Sequence, residues 1–267
     1  MTPPLACRYV HARSSAGGDA RWGVVEETAV EIGFNGTAWT VMMATPSDLE
    51  DLAVGLAFSE GAILDASRIR HVQVDHYREG VTADIRVDDS ALDRSALRRR
   101  TLAGVTGCGL CGVETLTDAL RRPDRPEGST TAPVVSSAVA TALEALHDHQ
   151  PLNRETRTAH AAAWCDAHGG IVLAREDVGR HNALDKLVGA MVRSGVEPMP
   201  GFIAMTSRCS FELVVKAART SASALATISA PTGAALDLAG ALGLALACRS
   251  PGGGITWFPV KGHVNEG

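Results

Sequence analysis

The sequence has no excess of basic charge, no long apolar run and no second Cys-x-x-Cys, and each absence removes a class of function. Lys and Arg total 25 against 30 Asp and Glu, for a net charge of -5 and a sequence pI near 6.0. Neutralising a phosphate backbone needs a concentrated excess of cations, so nucleic-acid binding is not the main activity, and any anionic ligand must meet a local basic site. The opening stretch MTPPLACRYVHARSSAGG lacks the apolar core of a secretory signal. The Ala/Leu-rich stretch Ala234–Ala247 is too short and too broken by glycine to span a bilayer. The expectation is a cytoplasmic chain without membrane contact. Repeats of about 20 to 50 residues and heptad runs are also missing, which removes solenoid and coiled-coil readings.

What is present is an ordinary globular composition. With 267 residues and 45% hydrophobic content, the chain can bury a substantial core, as one large domain or as a small domain joined to a larger one. Six cysteines stand at positions 7, 108, 111, 165, 209 and 248, and without a secretory signal they are expected to stay reduced. Cys7, Cys165, Cys209 and Cys248 read as small buried apolar residues. Only Cys108 and Cys111 form a motif. A structural zinc site needs four ligands, and no second Cys-x-x-Cys or close His pair supplies them, so no metal is expected on the protein.

The order of elements suggests an α/β protein. Residues 24 to 43 read as two strands around Asn35-Gly36, a dipeptide that tolerates the positive φ of a tight hairpin. TPSDLEDLAVGLAFSEG predicts a helix with Ser47 as N-cap, Leu49, Leu52, Ala53 and Leu56 on one face, and Gly61 past the end. Val72–Val74 and Val81–Val87 alternate as half-buried strands, and Ala91–Arg100 as a short helix with a basic end. Arg121–Pro133 packs prolines and charges together as an exposed linker, dividing residues 1-125 from 126-267. Beyond it, a helix at Ser136–His149 precedes strands at Ala159–Cys165, Ile171–Ala174, Phe202–Met205 and Ala224–Ile228. Helices near His181–Arg193, Glu212–Thr220 and Ala234–Cys248 complete an alternating, layered pattern.

In TGCGLCGVE the two thiols are flanked by Gly107, Gly109 and Gly112, so backbone N–H groups can approach sulfur and favour thiolate. The Arg98-Arg99-Arg100 run would lower a cysteine pKa further if folded over the loop, although such a run is commonly a solvated helix face. Persulfide transfer, dithiol exchange and a purely structural loop all fit these residues. Glu176-Asp177-Val178-Gly179-Arg180-His181-Asn182 follows a strand and opens a helix, where free N–H groups meet anions. Arg180 and His181 supply charge and donors suited to a phosphate or pterin, and Asp177 can orient either; a capped helix with a local salt bridge fits equally well. Ser207-Arg208-Cys209-Ser210-Phe211-Glu212 and Ser229, Pro231 and Thr232 mark two more strand-to-helix junctions.

The ordered series NG, TPSDLEDLAVG, SEG, CGLCG, EDVGRHNALDK, SRCSFELVVKAART and SAPT, spread over roughly residues 24 to 260, resembles the FdhD/NarQ family of formate dehydrogenase accessory sulfurtransferases. That resemblance implies a sulfur carrier that takes persulfide sulfur from a cysteine desulfurase. It would pass the sulfur to the molybdenum cofactor, Mo-bis-molybdopterin guanine dinucleotide, before insertion into formate dehydrogenase. Cys108 would carry the sulfur and Cys111 support it. Asp177, Arg180 and His181, with the late turn Ala247-Cys248-Arg249-Ser250-Pro251-Gly252, would bind the cofactor. A homodimer is implied, and so is a cytidine-deaminase-like three-layer domain with a mixed sheet beside a smaller N-terminal α+β subdomain.

Two departures stand out. Where relatives read Thr-Gly-Gly-Thr-His, this chain has Arg157-Thr158-Ala159-His160, and where relatives place an aromatic before the late Arg, it has Cys248. Zinc deaminase chemistry would need His-x-Glu and a downstream Pro-Cys-x-x-Cys, whereas His160 is followed by Ala161 and Ala162. A cofactor chaperone without sulfur transfer and a dithiol oxidoreductase are the alternatives in other function classes.

Overall fold

A computed structural model describes residues 5–15, 17–63, 65–101, 122–123, 125–126, 133–194 and 200–258. Two strands, β1 (Cys7–Arg13) and β2 (Asp19–Val25), pair antiparallel as a separate ribbon. Next come β3 (Thr28–Phe34) and β4 (Thr37–Ala44), joined at Asn35 and Gly36 with φ of 51° and 83°. Both central positions of this turn have the positive φ that a two-residue hairpin with right-handed strand twist demands. The Asn35 side chain also bonds the Val87 backbone in both directions, at 2.9 and 3.1 Å, fixing the hairpin to β6 (Val81–Val87). With β5 (Ile69–His76) these strands form a four-stranded sheet in the order β4-β3-β6-β5, in which β3 and β6 are parallel. The helix expected at Ala91–Arg100 is α2 (Arg94–Thr101), tied to the sheet by Trp39 Nε1 donating to Leu97 O at 3.1 Å.

Helix α1 (Leu49–Ser59) is buried on nearly every side. Leu52, Ala53, Leu56 and Ala57 pack into the N-terminal core with Val30, Ile32 and Ile85. The opposite side meets α5 (Arg180–Arg193) at a distance only glycine allows. A Cβ on Gly55 would stand 1.7 Å from Asp185 O, and one on Gly189 would stand 1.8 Å from Asp51 O. Ser47 is not the N-cap. Asp48 is, with φ 50° and no side-chain cap bond. The acidic start of α1 is directed across the molecule: Asp51 pairs with Arg175 at 2.7 Å and with Arg193, and Glu50 pairs with Arg193.

The larger sheet runs β12-β11-β10-β9-β7-β8. Its strands are β7 (His160–Asp166), β8 (Ile171–Asp177), β9 (Gly201–Met205), β10 (Ala224–Thr227), β11 (Ala245–Arg249) and β12 (Ile255–Phe258). Strands β9, β10 and β11 are parallel, while β7 runs against both β8 and β9, and β12 against β11. The sheet is covered on both faces, so its central strands read as continuous apolar runs. Trp164, Ile203, Met205, Leu225 and Leu246 face α5, α6 (Phe211–Ala218) and α7 (Gly233–Leu242). Ala163, Phe202, Ala204 and Ala226 alternate to the other face, where Val139, Ala142 and Leu143 of α3 (Ser136–Ala145) cover them. No helix among the described residues is long and apolar enough to cross a membrane.

One reading of the sequence changes here, and others are filled in. The helix expected to reach Cys248 ends at Leu242, because Gly243 takes φ 67°, and Ala245–Arg249 then forms β11. Among the described residues of the segment expected as an exposed linker, Arg122, Pro126 and Pro133 are exposed, while Pro123 is buried and Arg125 donates to Gly243 O at 2.8 Å and to Ala222 O at 2.6 Å. The β1–β2 ribbon, α4 (Pro151–Thr156) and β12 are additional elements. Arg157, at the C-terminal end of α4, adopts φ 58°, the left-handed region that favours glycine, and its guanidinium lies 5.4 Å from the centre of the Trp22 ring.

Candidate functional site

The strand directions collect the junctions on one edge of the large sheet. Across the ladder His160 pairs with Asp177, Met205 with Thr227, and Thr227 with Cys248. The start of β7 therefore lies beside the ends of β8, β9, β10 and β11, where α5, α6 and α7 begin. The junctions are bonded to one another: Ser229 N donates to Ser207 O at 3.3 Å and Thr232 N to Cys209 O at 3.0 Å. Such an edge is where open α/β sheets bind ligands, with helix N–H groups facing anions.

The EDVGRHN segment divides its labour. Asp177 is fully buried, with Oδ2 at 2.7 Å from Lys186 Nζ and accepting from Thr45 N at 3.0 Å. Its Oδ1 accepts from Gly179 N at 2.8 Å and Asn182 Nδ2 at 3.1 Å. Asp177 therefore acts by holding the turn that presents Arg180 and His181. Lys186, also sealed from solvent, donates to Thr45 O at 3.0 Å and Glu176 O at 3.3 Å. Asn182 donates to Met43 O at 2.9 Å, and Val178 N to Thr45 Oγ1 at 3.1 Å, so the junction is fastened to the end of β4. Glu176 accepts from Leu152 N and Asn153 N, both at 2.8 Å, at the first turn of α4. Burial pushes its carboxyl above the ordinary range, against the pull of those two N–H groups.

Arg180 and His181 open α5, whose N-terminus carries no side-chain cap. Arg180 Nε is sealed from solvent without a hydrogen-bond partner among the described residues. A buried guanidinium nitrogen left unpaired is costly, and an anionic ligand would satisfy it. His181 Nε2 faces Glu212 Oε2 at 3.8 Å, an ion-pair contact longer than a hydrogen bond. Burial pushes the Glu212 carboxyl up, but His181, its own backbone N–H and Ser210 outweigh it and hold the pKa at about 2. His160, whose Nδ1 lies 3.4 Å from Thr206 Oγ1, has its pKa lowered first by burial and then by the Arg180 and His181 charges.

In the late turn, Ala247 and Cys248 are strand residues with buried side chains, and Arg249 is the first that faces solvent. Ser250 closes the turn onto Gly254 O at 3.0 Å and pairs with Thr256 Oγ1 at 2.6 Å, leaving Pro251 and Gly252 exposed. Arg249 therefore ends a strand at the same edge as Arg180, where a helix end was the simpler expectation. The exposed Arg208 stands at the β9–α6 junction. Cys108 and Cys111 lie outside the described residues. Among the other cysteines, burial pushes the thiols of Cys165 and Cys209 up to about 12 and raises that of Cys248, so none of the three offers a ready thiolate. Sequence reasoning passed over Lys186 and Thr45, and gave Glu212 only a place at a strand-to-helix junction. A lysine inside the apolar stripe between Leu184 and Leu187 was the available signal for the first.

The FdhD/NarQ family model matches residues 25–264. A sulfur carrier protein FdhD from Chromobacterium violaceum is 47% identical over 256 residues, covering 94% of this chain and 93% of that protein. A sulfur carrier protein FdhD from Variovorax paradoxus is 48% identical over 231 residues, covering 86% and 82%. A crystal structure from Desulfotalea psychrophila, described as that of a formate dehydrogenase accessory protein, superposes with a TM-score of 0.71 at 21% identity, covering 95% of this chain and 96% of that one. At that identity the superposition speaks to the fold, while the match along residues 25–264 speaks to descent. The chain belongs to the FdhD/NarQ family.

Proposed function

We propose that this chain is a sulfur carrier that serves formate dehydrogenase. It would receive persulfide sulfur from a cysteine desulfurase on Cys108 and deliver it to Mo-bis-molybdopterin guanine dinucleotide held at the edge of the large sheet. The observation that carries the binding half is the placement of Arg180, His181 and Arg249 along one edge of the large sheet with the uncapped N-termini of α5 and α6, where a buried Arg180 Nε lacks a partner among the described residues. Those donors suit the pyrophosphates of a guanine dinucleotide, which meet guanidinium groups and helix N–H groups on equal terms. Family membership and the names of the relatives support the sulfur half. The mixed sheet with helices on both faces, in which β7 is reversed between β8 and β9, is in keeping with a cytidine-deaminase-like layered domain.

In the loading step the Cys108 thiolate attacks the outer sulfur of the desulfurase persulfide. The desulfurase S–S bond breaks, its cysteine thiolate leaves, and Cys108 becomes the persulfide. In the release step the Cys111 thiolate attacks Cys108 Sγ, forming the Cys108–Cys111 disulfide and expelling hydrosulfide to the substrate. The two electrons that reduce sulfane sulfur come from the two thiols, and an external thiol reductant resets the pair. Intact-protein mass spectrometry after incubation with a cysteine desulfurase and cysteine tests the loading step. A reducible gain of about 32 mass units per sulfur, absent from Cys108→Ala, supports it. No adduct on wild type, Cys108→Ala or Cys111→Ala would leave a cofactor chaperone in its place.

A further inference from the structure

The edge holds a carboxylate placed against one of its cations. Glu212 enters from the first turn of α6, and its Oε2 lies 3.8 Å from His181 Nε2, with the two side chains 19% and 13% exposed. The His181 nitrogen is itself closed off from solvent. Three other charged or titratable groups border this imidazole. Arg180 precedes it on α5, His160 approaches from β7 closely enough to feel both, and Asp177 ends β8. The Asp177 charge is taken up by Lys186 at 2.7 Å. Glu212 is thus the carboxylate that faces His181 directly among the described residues, and it stays ionised, held at about 2 despite its burial. A carboxylate on one ring nitrogen fixes the tautomer and orientation of an imidazole and favours its cationic form.

We propose that Glu212 is the positioning residue of this edge: its carboxylate, facing His181 Nε2, orients the ring and favours its positive charge toward an incoming pyrophosphate. This rests on the reading of the edge as a pyrophosphate site. At 3.8 Å the contact is electrostatic rather than a hydrogen bond. The carboxylate does not touch the ligand and acts only through the ring.

The experiment pairs two readouts on the full chain, with GDP as the probe. One is the NMR titration of the His181 ring, assigned with His181→Gln; the other is GDP affinity as a function of pH. In Glu212→Gln the ring should titrate at lower pH than in wild type. GDP affinity should then be lost earlier as pH rises, by about tenfold at pH values above both titrations for each unit by which the ring's titration moves down. Glu212→Asp should recover part of both effects, which a merely structural carboxylate would not. An unchanged ring titration in folded Glu212→Gln overturns the proposal. If wild type fails to bind GDP, the pyrophosphate reading falls, and the ring titration alone decides whether Glu212 governs His181.

Discussion

Removing the ammonium of Lys186 should be among the most damaging single changes in this protein. The side chain is fully buried, pairs with the equally buried Asp177 at 2.7 Å, and donates to two backbone carbonyls, those of Thr45 and Glu176. Lys186→Met keeps much of the volume but leaves the Asp177 carboxylate sealed away from water with only N–H donors. Breaking one side of a buried ion pair costs about 3–5 kcal/mol, a large share of the roughly 5–15 kcal/mol by which a domain is stable. Urea unfolding at neutral pH should show the midpoint falling accordingly at constant slope. Combining Lys186→Met with Asp177→Asn removes both charges, so the double variant should be more stable than the sum of the singles predicts, by about 2 kcal/mol. A Lys186→Met loss below about 1 kcal/mol would refute the reasoning and return Asp177 to the ligand side of the site.

Gly189→Ala should destabilise by at least about 2 kcal/mol even though alanine is the better helix former by about 1 kcal/mol, because the new Cβ would meet Asp51 O at 1.8 Å; denaturant midpoints decide it. At Arg157, held at φ 58°, Arg157→Gly should be more stable than Arg157→Ala by about 1 kcal/mol, since both lose the Trp22 contact and only glycine relieves the backbone; equal melting temperatures would contradict this. Glu212, depressed from 4.5 to about 2, contributes stability that is fully present above its unfolded pKa and lost as pH falls through the folded one. The gap in urea midpoint between wild type and Glu212→Gln should therefore close between pH 4.5 and about 2.

Much of the edge was legible because strand-to-helix junctions leave local marks. Asn35-Gly36 fixes a turn by its φ values, and EDVGRHN announces a helix start after an apolar strand. What could not be read is long-range. Nothing local marks that Asp177 bonds to Lys186, nine positions on, and to Thr45, just past the end of β4. Arg125 looks solvent-exposed because its neighbours are prolines and charges, yet its partners are carbonyls roughly a hundred residues away. The stretch LGLALACR carries no period that separates helix from strand, and the break comes from the positive φ of Gly243. Ser47 loses the cap because Asp48 takes the left-handed conformation at that position and the acidic first turn is drawn to Arg175 and Arg193 of the larger core.

The most direct test of the sulfur-carrier account is formate dehydrogenase activity recovered in cells that lack their own carrier, complemented with wild type, Cys108→Ala or Arg180→Ala. The account predicts that wild type restores activity and both variants fail for separate reasons: Cys108→Ala still binds GDP but takes up no sulfur, and Arg180→Ala still takes up sulfur but binds GDP weakly. Full activity restored by Cys108→Ala would contradict it.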